Sequence, residues 1–103
     1  MKDVPTISEM GTLRDVLEAL SDPVRLEMVR RMAREGGPVA CSDLYDSVSK
    51  STASHHFKVL REAGLTERVT LGGQTHQRLR LDDVEASFPG VVSSIVAASA
   101  GVS

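Results

Sequence analysis

The stretch from Ser42 to Gly64 constrains this chain more than any other, because it reads as two short helices joined by a tight turn. Leu44 and Val48 stand four apart and give a first short helix one apolar face. Val48-Ser49-Lys50 forms the turn, and Ser49 is a suitable N-cap: its hydroxyl can accept one of the backbone N–H groups a helix leaves unpaired at its start. Ala53, Phe57 and Leu60 follow at i, i+4 and i+7, which makes the buried stripe of a second helix. Gly64 closes that helix, since glycine tolerates the left-handed conformation common just past a helix end.

The opposite face of the second helix carries the functional signal. Ser51, Ser54, His55 and Lys58 share it, and Lys50 and Thr52 add donors at the first turn. All are hydrogen-bonding or cationic, and Glu62 is the only acid on the helix. A solvated helix face usually mixes acids with bases. A helix that reads DNA contacts base edges with residues near its N-terminus, where the free N–H groups also favour phosphate. The pattern assigns Lys50, Ser51, Thr52, Ser54 and His55 to the major groove and Lys58 to phosphate.

Charge is distributed accordingly. The whole chain of 103 residues has a net charge of −2, which by itself argues against nucleic acid. Residues 50–81, however, carry six Lys/Arg against two Asp/Glu, while residues 1–49 carry six against nine and residues 82–103 none against three. Local charge matters more than the total for holding phosphates.

After Gly64 the hydrophobic period changes from helical to alternating. Glu67–Leu71 reads as one strand, Gly72-Gly73 as a turn, and Thr75–Leu81 as the return strand, with Leu79 and Leu81 inward and Arg78 and Arg80 outward. A hairpin placed after a reading helix is the wing of a winged helix. Arg78 is the principal wing contact with the DNA backbone.

Before the helix-turn-helix, residues 1–7 read as a flexible arm and residues 8–103 as one DNA-binding and dimerisation domain. A first helix spans about Glu9 to Leu20, with Leu13, Val16, Leu17 and Leu20 on one stripe. Ser21-Asp22-Pro23 marks the start of a second, which runs to about Glu35 with Leu26, Val29, Met32 and Ala33 inward. Met28 and Met32 are expected as core filler. Arg25, Arg30, Arg31 and Arg34 of this helix are expected to pair with acids or to lie in solvent, with contact to DNA phosphate as the alternative. Gly36-Gly37-Pro38 is a loop, and Val39-Ala40 a short edge strand.

Asp82-Asp83 are expected to cap the next helical segment, and Pro89 to lie in the first turn of the last helix or to kink a continuous one. Phe88, Val91, Val92, Ile95 and Val96 form an apolar stripe there, widened by alanines, with no charged residue after Glu85. An exposed terminal helix would carry a charged outer face, so this one asks for cover on more than one side. The simplest cover is a two-fold homodimer. Its expected interface is Leu13 and Leu17 with Val91, Val92, Ile95 and Val96.

Ser51-Thr52-Ala53-Ser54-His55-His56-Phe57-Lys58-Val59-Leu60-Arg61-Glu62-Ala63-Gly64-Leu65 resembles the recognition helix of the ArsR/SmtB family of bacterial winged-helix repressors, and Ala19–Leu26 is similar to that family's approach to its second helix. The resemblance covers about residues 10 to 100. It implies a mainly α fold with a two-stranded β wing, dimeric through the first and last helices. It also implies a repressor that holds double-stranded DNA when free and releases it when an effector binds.

The family's sensor sites are missing. Where a Cys-x-Cys metal site would stand, this chain has Ala40 and Ser42 around Cys41, and residues 88–103 contain no His, Asp, Glu or Cys. His55, His56 and His76 lack metal-ligand spacing, His55 being assigned to DNA and His56 to a structural hydrogen bond. No metal or cofactor is expected. Cys41 is the candidate redox residue, because a thiolate is favoured near a helix N-terminus, although a free cysteine is more often a small buried hydrophobe. The effector is open between a metal, a redox signal, a small molecule, a partner protein and none.

Catalysis is not expected, since no nucleophile motif, phosphate loop or carboxylate pair is present. The alternative is a winged helix that binds only protein, against which the acid-poor face argues. No apolar run spans a membrane, no signal peptide is evident, and a single cysteine fits a reducing cytoplasm.

Overall fold

The computed structural model describes residues 9–100, so the expected arm at 1–7 lies outside the described residues. The elements run α1 (Leu13–Leu20), α2 (Pro23–Glu35), β1 (Val39–Ala40), a 3-10 turn (Cys41–Asp43), α3 (Lys50–Glu62), β2 (Thr66–Leu71), β3 (Gln74–Leu79), α4 (Leu81–Ser87) and α5 (Val91–Ala100). The three strands form one antiparallel sheet in the order β1-β3-β2. The wing is therefore a hairpin with the short strand β1 added to one edge.

Each helix starts where its local chemistry satisfies free N–H groups. α1 begins at Leu13 rather than near Glu9 because Thr12 and Asp15 cap it reciprocally: Thr12 Oγ1 accepts from the Asp15 N–H at 3.1 Å and Asp15 Oδ2 from the Thr12 N–H at 2.9 Å. Gly11 is drawn away instead, donating its N–H to Ala63 O at 3.0 Å. α2 starts as the sequence indicates. Asp22 Oδ2 accepts from Val24 and Arg25 N–H at 2.9 and 3.0 Å, and Pro23 fills a position that needs no donor.

The first helix expected in the helix-turn-helix does not form. Cys41–Asp43 is a single 3-10 turn, and residues 44–49 are irregular. Ser42, Asp43, Asp46 and Ser47 are poor helix formers, and the stretch is too short to offset nucleation. Tertiary bonds hold it instead: Arg31 donates to Asp43 O at 3.1 Å and pairs with the Asp46 carboxylate. Leu44 is nevertheless buried as its spacing demands.

The core collects Val16, Ala19 and Leu20 from α1, Met28, Val29 and Met32 from α2, Ala53, Phe57 and Leu60 from α3, and Leu65, Leu79, Val84 and Val92 from the rest. Leu26 and Ala33, expected inward, are only half-buried, while Met28 lies fully inside. Strand β3 ends at Leu79, earlier than the alternation indicates. Arg80 is buried at the start of α4 and bonds Asp83, whereas Leu81 is 38 % exposed, so the inward and outward assignments of these two residues are reversed. Asp82 and Asp83 sit inside the first turn of α4 and do not cap it. Pro89 lies in the turn between α4 and α5, where Gly90 takes a φ of 82°.

Asp22 carries the α1–α2 junction. Burial raises its pKa, but the N–H groups of Arg25 and Val24 and the Arg25 guanidinium lower it more, so its carboxyl titrates below the ordinary 3.8. A depressed folded pKa means that its contribution is present above the unfolded value and is lost as pH falls through the folded one. Asp22→Ala should lower stability by about 1–2 kcal/mol at pH 7, as expected for a lost cap. In urea unfolding curves that difference should persist at pH 5 and shrink as the pH falls below the ordinary 3.8.

Candidate nucleic-acid interface

Helix α3 is fixed at both ends by its own sequence. At its start, Ser49 Oγ accepts from the Thr52 N–H at 3.1 Å and donates to Thr52 Oγ1 at 3.0 Å, with Ser51 Oγ at 3.2 Å. At its end, Leu65 N–H bonds Leu60 O at 3.0 Å and Gly64 N–H bonds Arg61 O at 2.9 Å, a Schellman closure with Leu60 and Leu65 both buried. Gly64 is required twice over. Its φ is 87°, and a Cβ there would stand 2.7 Å from Met10 Cα.

Ala53, Phe57 and Leu60 anchor the helix from beneath, and the Phe57 ring meets Tyr45 edge-on at 6.2 Å between centroids. The anchoring decides what faces outward. Lys50, Ser51, Thr52, Ser54, His55 and Lys58 are all exposed on α3. Lys50 and Lys58 have no carboxylate at ion-pair distance among the described residues. The structure therefore brings together every α3 residue assigned to DNA from the sequence.

His56 belongs to the other side. Its side chain is 11 % exposed, and its Nδ1 lies 3.0 Å from Arg25 Nη1 and 3.9 Å from Asp22 Oδ2. Arginine has no acceptor, so the Nδ1 lone pair must face Arg25. The same guanidinium donates through Nε to Ala19 O at 2.7 Å, at the C-terminal end of α1. His56 is thus the structural histidine its position indicates. Arg25, assigned no contact of this kind from the sequence, ties α1 to the back of the recognition helix.

In the wing, Arg78 is exposed but pairs with the Glu67 carboxylate directly across the hairpin. Arg80 is buried against Asp83 and is withdrawn from the outer face. Two of the four arginines of α2 are spent on acids: Arg30 and Arg31 both pair with Glu27, and Arg31 also with Asp46. The Arg31 bonds and neighbouring Arg30 charge hold Glu27 below its ordinary pKa.

The sensor candidates separate. His76 Nδ1 is 3.1 Å from Gln74 O, remote in role from His55 and His56, and no three His, Cys, Asp or Glu side chains among the described residues converge on a metal-sized site. Cys41 opens only the three-residue 3-10 turn, and burial pushes its thiol up despite the opposing pull of Gln77, Arg61 and Arg68. The thiolate expected from a helix start is therefore disfavoured. Of the residues assigned to a dimer interface, Leu13 and Leu17 are 42 % and 45 % exposed, and Val91, Ile95 and Val96 are partly exposed. Val92 is fully buried within the single chain, so it has no area left for a partner.

A family profile described as a helix-turn-helix domain matches residues 20–69. An uncharacterized HTH-type transcriptional regulator of Bacillus subtilis, YceK, is 34 % identical over 82 residues, spanning 78 % of this chain and 82 % of that protein. The chain belongs to the helix-turn-helix transcriptional regulators. Among solved structures it is similar to the transcriptional repressor BigR from Xylella fastidiosa, with a TM-score of 0.64, 27 % identity and 84 % of each chain covered. The fold also matches an ArsR-like transcriptional regulator from Rhodococcus sp. RHA1, with a TM-score of 0.62, 23 % identity and 85 % and 78 % covered. Regulators of this family bind double-stranded DNA, and no described helix is long and apolar enough to cross a membrane.

The cap on α3 offers a direct test of how the site is held. Ser49→Ala should cost about 1 kcal/mol in urea unfolding. It should also speed amide exchange at Thr52 selectively, leaving the Leu60–Leu65 closure unchanged.

Proposed function

We propose that this protein is a sequence-specific repressor that binds a palindromic operator as a homodimer and is modulated by an effector. One observation carries the reading: a recognition helix pinned by a buried stripe and presenting a continuous exposed face of hydroxyls, an imidazole and two lysines. Lys50, Ser51, Thr52, Ser54 and His55 read base edges from the N-terminal half of α3, where a recognition helix makes its base contacts. Lys58 holds phosphate. Arg78 holds phosphate on the wing once it exchanges Glu67 for the backbone.

The homodimer is supported by Leu13 and Leu17, two large apolar side chains left in solvent on a helix whose other face is buried. Val91, Ile95 and Val96 on the uncharged helix α5 are partly exposed as well. A two-fold axis sets two recognition helices about one DNA turn apart, roughly 34 Å, which a palindrome matches. Any effector that rotates one subunit against the other spoils that spacing and releases the DNA.

Fluorescence anisotropy on DNA upstream of the protein's own gene tests the reading face. Ser54→Ala combined with His55→Ala should weaken operator binding at least tenfold and leave random-duplex binding nearly unchanged; unchanged operator affinity refutes the assignment. Arg78→Ala should instead weaken all duplexes and reduce the salt slope by about one. Leu17→Glu, at an exposed position, should yield a folded monomer by light scattering, and a persistent dimer would refute the interface.

A further inference from the structure

Beside the reading face lies an open cavity of about 230 Å³ between α3 and the wing. Its α3 wall includes Lys50, Ser54 and Arg61, its sheet wall Arg68 and Gln77, and Cys41 lines it as well. The three cations have no carboxylate at ion-pair distance among the described residues, unlike Arg78 and Arg80 nearby. Burial and the adjacent Arg68 charge hold Arg61 below its ordinary pKa, the mark of a cation short of a counter-charge.

Gln77 supplies an independent signal. Its side chain is 1 % exposed, its Nε2 approaches Cys41 Sγ at 3.9 Å, and its Oε1 has no hydrogen-bond partner. Turning the amide end for end exchanges the two head atoms and still leaves one without a partner. A buried amide atom left unpaired costs free energy, which a ligand can recover once the Gln77 head group turns toward the cavity. A sheet position facing the core would ordinarily hold an apolar residue, as Leu79 does two positions on.

We propose that this cavity is the effector site and that it takes a small oxyanion bearing a hydroxyl, such as hydrogen phosphate or a hydroxycarboxylate. Arg61, Arg68 and Lys50 neutralise the anion, and Gln77 bonds its hydroxyl. The size fits: an apolar cavity of about 150 Å³ holds benzene, so the ligand has on the order of ten non-hydrogen atoms or fewer. The role as effector rests on the DNA reading, because Lys50 and Ser54 line the cavity and also belong to the base-reading set. An anion that takes the Lys50 ammonium removes it from DNA, so ligand and operator compete.

Tyr45 also borders the cavity and is the chain's one tyrosine, with no tryptophan present, so its emission reports occupancy directly. The protein is titrated with inorganic phosphate, lactate and sulfate at constant ionic strength set with chloride. Phosphate or lactate should change Tyr45 emission saturably, sulfate should bind at least threefold more weakly because it carries no O–H at neutral pH, and Arg68→Gln and Arg61→Gln should each weaken binding at least tenfold. Operator affinity of the wild type should fall at least threefold at saturating anion and stay constant in Arg68→Gln. Arg68 is exposed, so its replacement leaves the core intact, which a matching urea midpoint checks.

A flat Tyr45 response to all three anions, or equal responses in both variants, overturns the site. Equal affinity for sulfate overturns the role of Gln77. A saturable response without any effect on operator binding overturns the effector role. If Arg68→Gln weakens DNA binding and lowers its salt slope while Tyr45 stays silent, the cations serve the DNA backbone and the small ligand is refuted. The Tyr45 titration contains no DNA, so a failure to bind operator would count against the repressor reading separately.

Discussion

Burial of Ala53, Phe57 and Leu60 under α3 is the constraint on which the rest of the structure depends. A helix held along one stripe has no rotational freedom, so the side chains on the opposite face are delivered to solvent in a fixed array. Fully burying Phe57 and Leu60 contributes roughly 1.5–3 kcal/mol each before ordering costs. The polar face could not be presented with this definition by a helix that lacked them. The caps act on the same helix from its ends: Ser49 sets where it starts, and the Leu60–Leu65 closure sets where the chain turns into β2.

The second fastening comes from Arg25. Its guanidinium bonds Ala19 O at the end of α1 and His56 Nδ1 on the back of α3, and the Asp22 cap sits beside both. One planar group with several donors thus joins three helices in a fixed geometry, which a lysine could not reproduce. The consequence bears on regulation. Helix α1 carries the exposed Leu13 and Leu17, so a displacement of α1 reaches the recognition helix through a hydrogen-bonded contact as well as through the apolar core.

Much of this was legible in the sequence because it is local. The α2 cap at Asp22, the α3 cap at Ser49, its buried stripe, the glycine at its end and the Gly72-Gly73 turn each depend on residues within a few positions. What was not legible depends on distant partners. The short helix suggested by Leu44 and Val48 gives way to a 3-10 turn held by Arg31, fifteen residues from Asp46. The alternation that carries β3 on to Leu81 is broken because Arg80 turns inward to Asp83. Val92 shared a stripe with Ile95 and Val96, but periodicity alone does not say which apolar residue faces the chain's own core and which a partner. One contact was readable and went unread: a two-residue turn places Leu71 opposite Gln74, and counting back places Glu67 opposite Arg78.

That pairing changes how the basic segment is understood. Residues 50–81 hold six Lys/Arg, and a net charge treats them as equivalent. The structure divides them. Arg78 and Arg80 have carboxylate partners, whereas Lys50, Lys58, Arg61 and Arg68 have none at ion-pair distance among the described residues. Arg78 must break an ion pair to reach phosphate, so its net contribution to DNA binding is smaller than its charge suggests, since removing Glu67 from its partner offsets the gain. The four unpaired cations bear no such cost, and all lie on α3 or on the strand beside it. The field that draws an anion is therefore centred on the recognition helix and the cleft it shares with β2, and Arg78 on the wing contributes less.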